Sequence, residues 1–151
     1  MVANNAPIFS EAPFISSAVW LPATTANTKS DGSGTIGTDM LLLHTPGADG
    51  SFLARLRCMP VASVAATATT ASIIRVYLST VSSGATTSAN TKLIAEMAAV
   101  SQTADATGTA VLPLDIPLGF PIPATSFVLV SMHHAAAANT AWEFVLMGGN
   151  Y

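Results

Sequence analysis

A single cysteine, Cys58, excludes an intrachain disulfide, so stability must come from packing or from partner chains. Set between apolar neighbours in LARLRCM, it reads as a small buried hydrophobe, free cysteine being among the most buried residue types. Charge is scarce too. Asp, Glu, Lys and Arg supply 9% of the chain, where soluble domains carry roughly 25%. The basic residues Lys29, Arg55, Arg57, Arg75 and Lys92 are scattered and form no stripe to neutralise a phosphate backbone, so no nucleic acid is expected as a partner. No apolar run approaches the roughly 18 residues that a spanning helix needs. The mean hydropathy of +0.53, much of it alanine, therefore does not signal a membrane partner. The amino terminus, MVANNAPIF, has neither the basic nor the apolar region of a secretory signal, so synthesis in a cytoplasm and non-secretory assembly are expected.

What is abundant is small: Ala, Thr and Ser make up about two in five residues. A weakly charged surface resists self-association poorly, which points to life in an assembly. The 151 residues suit one domain with one core.

Alternation with a period of two recurs along the chain, and helical periodicity does not. In Ser51–Met59 the pattern puts Phe52, Ala54, Leu56 and Cys58 on one face and Arg55 and Arg57 on the other. In Ala71–Thr80 it puts Ile74, Val76 and Leu78 inward and Arg75 and Tyr77 outward, with β-branched and aromatic residues that favour strands. Similar stretches at Phe14–Trp20, Met40–Thr45, Lys92–Ala98, Thr109–Ile116, Ser126–His133 and Ala141–Met147 bring the expectation to about eight strands. Turn-rich segments separate them, among them NTKSDGSGTIG, PGADG, SSGATTSAN, Ser101–Gly108 and LGFPIPA, while the alanine runs around Ala65 and Ala135 read as loops. The expected fold is all-β, an antiparallel, jelly-roll-like β-sandwich. Pro113, read as interior to VLPLDI, assigns its strand to an edge or a bulge. Residues 1–37 hold Pro7, Pro13 and Pro22 and a Gly/Ser-rich loop, so they are expected to form an extended N-terminal arm and loop, with the sandwich domain at 38–151. The chain closes in WEFVLMGGNY, where Trp142, Phe144 and Leu146 face inward and Gly148 and Gly149 are expected to release the chain from the sheet.

Chemistry-bearing motifs are thin. KSDGSGTI imitates the middle of a calcium loop, but aligning Gly34 with its sharp turn puts Lys29 and Met40 where carboxylates must stand. His133 and His134 are adjacent, so in a strand they point to opposite faces and do not share a metal. With His44 they form no ligand motif, and no metal or other cofactor is expected. There is no nucleophile elbow, and none of Asp39, Asp49, Glu96, Asp115 and Glu143 pairs with another by spacing. Glu96, Glu143 and Arg75 read instead as cross-strand partners. The chain is therefore expected not to be an enzyme.

The segments TANTKSDGSGTI, PGADGS, the Arg55/Arg57 strand, IRVYL, LIAEM, FPIPATSFVLVSMHH and the Gly-Gly-Asn-Tyr finish follow one another in an order that resembles small virion structural proteins of tailed bacteriophages, over residues 24–151. Asn150 departs from the Asp expected there, and FPIP replaces a Gly-containing turn. The resemblance implies a capsid decoration (cement) protein. Such a protein would be a homotrimer that binds the major capsid protein on the outside of the phage head, making the virion surface its location. A tail or baseplate component, or a carbohydrate-binding adhesion module, is the alternative. Phe14, Trp20, His133, His134 and Tyr151 are the candidate interface residues, with Trp20 as the best exposed aromatic or as an anchor for the arm.

Overall fold

The computed structural model describes residues 12–63, 67–104 and 110–151. The first eleven residues of the expected arm, Ala65, Ala66, residues 105–108 of the expected turn and Thr109 lie outside the described residues. The chain is all-β. Its strands are β1 (Ala12–Trp20), β2 (Gly34–Ile36), β3 (Leu41–His44), β4 (Ser51–Ala62), β5 (Thr67–Ala68), β6 (Ser72–Ser79), β7 (Gly84–Thr86), β8 (Thr91–Ala99), β9 (Thr103–Ala104), β10 (Leu114–Ile122), β11 (Phe127–Met132) and β12 (Thr140–Asn150). Two four-stranded antiparallel sheets carry the mass, in the orders β1-β12-β4-β10 and β3-β11-β6-β8. Short ribbons β2-β7 and β5-β9 flank them; strands of two or three residues leave no legible period in a sequence.

Both large sheets feed one core. Trp20, Leu53, Leu56, Cys58, Trp142, Phe144 and Leu146 come from the first, and Leu43, Ile74, Val76, Val128, Val130 and Met132 from the second. Each such large side chain contributes about 1.5–3 kcal/mol on burial. The closing strand behaves as its alternation predicts: Trp142, Phe144 and Leu146 are fully buried while Glu143 is exposed. Burial also pushes the Cys58 thiol up to about 12, out of the range of a reactive thiolate.

Several expectations are corrected by the tertiary structure. In β4 the alternation breaks at Ala54, where the register of both neighbouring strands shifts between Leu53 and Arg55. That bulge turns Leu53 inward and leaves Phe52 on the surface, so Phe52 does not share a face with Leu56. The strand expected at Thr109–Ile116 runs instead over Leu114–Ile122, so Pro113 precedes it and LGFPI belongs to it. Because β10 is an outermost strand, Pro117 and Pro121 are tolerated there, with a register shift between Pro117 and Phe120. Gly148 and Gly149 remain within β12. A side chain at Gly148 would run into the Phe52 carbonyl oxygen and the Phe14 ring, so glycine is what lets β1 and β4 close on β12 here.

Residues 12–37 are built into the body. β1 pairs with β12 over its whole length, from Ala12 opposite Asn150 to Trp20 opposite Trp142. The following segment crosses the outer face of the second sheet, where Met40, Tyr77 and Leu129 form a small second core with Ile36 against it. Arg75 and Tyr77 do point away from the main core, as their positions predict, yet both are buried beneath this segment.

Candidate interaction surface

The segment over the second sheet is held by polar side chains that period-two spacing aims at it. Arg75, on β6, lies opposite Glu96 on β8 and donates from Nε to its Oε2 at 2.8 Å. Its Nη1 donates to the carbonyls of Asn27 and Lys29 at 3.1 and 3.3 Å, and its Nη2 lies 3.4 Å from His133 Nδ1. The Tyr77 hydroxyl donates to the same Lys29 carbonyl at 3.2 Å. Asn27 folds the loop locally, accepting from Lys29 N–H and donating to the Ser33 carbonyl. On the first sheet, Arg57 and Asp115 also face each other and bond through both oxygens at 3.0 Å. That contact raises the guanidinium and lowers the carboxyl, mainly through their mutual hydrogen bond, but both groups are solvated and the pair adds little stability.

A second polar cluster joins residues far apart in sequence. His44 Nδ1 is 2.9 Å from Ser16 Oγ and His44 Nε2 is 3.1 Å from Ser51 Oγ. The Ser51 hydroxyl donates to Asn150 Oδ1 at 2.7 Å and accepts from Gly47 N–H at 3.2 Å. With its one proton committed to Asn150, Ser51 can only accept from His44, so Nε2 carries the ring proton and Nδ1 accepts from Ser16. The Phe14 ring stacks on the imidazole, centroids 3.8 Å apart and 13° from parallel. Burial lowers the His44 pKa and keeps the ring neutral. A serine hydroxyl on an unprotonated imidazole nitrogen is the geometry of a nucleophile and base. Here, however, the other ring nitrogen meets a serine, and among the described residues no carboxylate is bonded to the ring to stabilise an imidazolium. The bonds Ser16–His44, His44–Ser51 and Ser51–Asn150 link β1, β3, β4 and β12 at one end of the sheets.

The residues singled out in the sequence do not form one patch. Phe14 is half-buried over His44, and Tyr151 is near it at the same end, its N–H donating to the Gly50 carbonyl at 3.1 Å. Trp20 is fully buried in the core at the other end of β1, so it is not an exposed aromatic. A tryptophan between exposed neighbours gives no local sign of which way it faces, and here its strand's even positions face inward. His133 and His134 follow β11 and meet edge to face at 4.7 Å. His134 Nδ1 lies 3.1 Å from the Ala71 carbonyl and so carries its ring proton, while the His134 N–H donates to Ser72 Oγ.

The surface that spacing did not single out is the outer side of β1. Its odd-numbered residues face solvent, with Ile15 76% and Val19 43% exposed, and Leu21, just past the strand's end, is 50% exposed. Beside Leu21 opens an apolar cleft of about 320 Å³, walled by Pro22, Val61, Ala62, Thr140 and Ala141. The strand carries no charged side chain, so what it offers is shape, apolar area and main-chain hydrogen-bonding groups.

No family model, curated protein or solved structure matches the chain.

Proposed function

We propose that the chain is a non-enzymatic structural protein of a virion, a capsid decoration protein that stabilises a phage head by binding its major capsid subunits. The observation that carries this is the strand order. Numbered by position among the strands of the two large sheets, the orders β1-β12-β4-β10 and β3-β11-β6-β8 become 1-8-3-6 and 2-7-4-5. Strands 1 and 8, 2 and 7, 3 and 6, and 4 and 5 all pair antiparallel, as in one long hairpin rolled into two facing sheets. We read this as a jelly-roll sandwich, an architecture shared by viral capsid domains and lectins. The low charge, the uncharged apolar strip along β1 and the order of segments resembling phage virion proteins support the capsid side of that pair. Fold alone does not assign function, and the lectin side has lost its best sugar-stacking aromatic, since Trp20 is buried. The test is a density map of virions that incorporate the protein. Copies in contact with the major capsid protein are expected. Density confined to the tail, or a specific hit in a glycan-binding screen of the purified protein, would replace this reading with the tail or adhesion one.

A further inference from the structure

Each large sheet ends in two outermost strands, and three of these four strands carry a feature that discourages further pairing. Strand β10 contains Pro117 and Pro121 and an interrupted register. Strand β8 contains Lys92 and Glu96, and its register shifts where Ile94 bulges. Strand β3 is four residues long and irregular. Strand β1 has none of these features beyond Pro13 near its start. It runs for nine residues in unbroken register with β12, bears no charge, and among the described residues no strand pairs with its outer edge. A long, uncharged edge in unbroken register, left open beside three protected ones, is a pairing edge.

We propose that its occupant is β1 of a second copy, running antiparallel about a two-fold axis. A two-fold contact places a strand opposite itself, which sets like charge against like when a charged residue sits near the axis; an uncharged strand avoids this. The sequence is also self-complementary in one register. With Ser17 on the axis, Ile15 lies opposite the partner's Val19 and Pro13 opposite the partner's Leu21, so the exposed apolar residues cover one another and small hydroxyl residues meet at the centre. Inward-facing positions remain inward in both copies, because the register is centred on a residue. Ala12 then falls opposite the partner's Pro22, a residue that walls the partner's apolar cleft. The first sheets of two copies become one continuous eight-stranded sheet. This contact differs from the homotrimer implied by the resemblance, and it does not rest on the capsid reading: particle imaging tests one, solution mass the other.

The experiment is sedimentation of the full-length protein across a concentration series, with circular dichroism to check folding. A dimer, or another even-numbered assembly, is expected for the natural chain. The double substitution I15K/V19K sets like charges face to face in the proposed register, whereas I15K/V19E sets unlike ones. The Lys/Lys protein should dissociate at least about tenfold more readily than the Lys/Glu protein, since opposed pairs differ by the sign of a cross-strand interaction counted twice. Leu93→Lys on β8 should leave the mass unchanged. A natural chain that is monomeric or trimeric overturns the proposal, as does equal dissociation of the two double variants while both are folded.

Discussion

Replacing Arg75 by methionine keeps an apolar stem in its burial site and removes only the guanidinium. The loss can be worked from its contacts. Two donors reach the Asn27 and Lys29 carbonyls, and one reaches Glu96. Hydrogen bonds from a charged group are worth about 1.5–3 kcal/mol each. The Glu96 share is discounted because its side chain is 43% exposed and is resolvated when its partner goes. The two carbonyls also regain water if the 27–33 loop lifts, so the net destabilisation of Arg75→Met is about 2–4 kcal/mol. Arg75→Lys keeps the charge but loses the planar fork that reaches Glu96 and the two carbonyls at once, so its stability should fall between those of the natural chain and Arg75→Met. Because Tyr77 donates to the same Lys29 carbonyl, Arg75→Met and Tyr77→Phe should be non-additive by at least about 0.5 kcal/mol. Urea denaturation gives the stabilities, and amide exchange at Lys29, whose N–H is bonded to Asn27, reports the loop. A loss below about 1 kcal/mol with Lys29 protection unchanged would refute the reasoning that Arg75 holds the segment across the sheet.

Gly148→Ala should cost about 1–3 kcal/mol in urea denaturation, because the added methyl meets a backbone oxygen that cannot swing aside as a side chain would. Stability should also decrease as the pH is lowered, on account of His44. Its folded pKa lies below the unfolded value, so the folded state binds fewer protons than the unfolded chain between the two. The His44 contribution is complete above about pH 6.5 and is lost as pH falls through the folded pKa. The denaturation midpoint should drop between pH 7.5 and 5, and His44→Gln should flatten that drop.

Much of the strand content is a local property, since a period of two is written in any half-buried strand. That is why the WEFVLM alternation and the inward set of β6 could be read directly, whereas Glu96 and Glu143 looked alike as cross-strand partners until the register set Glu96 opposite Arg75 and Glu143 opposite Met59 and Val19. Where the local pattern is altered by a neighbour, reading fails. The bulge at Ala54 depends on β10 and β12 closing on β4, and β10 was displaced because its prolines look like a turn until an outer edge accommodates them. The burial of Tyr77 and Arg75 needed the 25–40 segment to lie on them, and nothing in IRVYL announces a second covering layer. The His44 cluster was the least visible, its Ser51–Asn150 bond spanning 99 positions.

The sequence by itself determined that the chain is built from strands, that its interior is made of a few large residues among many small ones, and that its surface carries little charge. These follow from composition and from side-chain periodicity, which act within a few residues. Only the tertiary structure decided which strand lies outermost, which way Trp20 faces, and which edge stays open. Pairing across a sheet is a contest among all strands for neighbours, and no strand's own residues record the result.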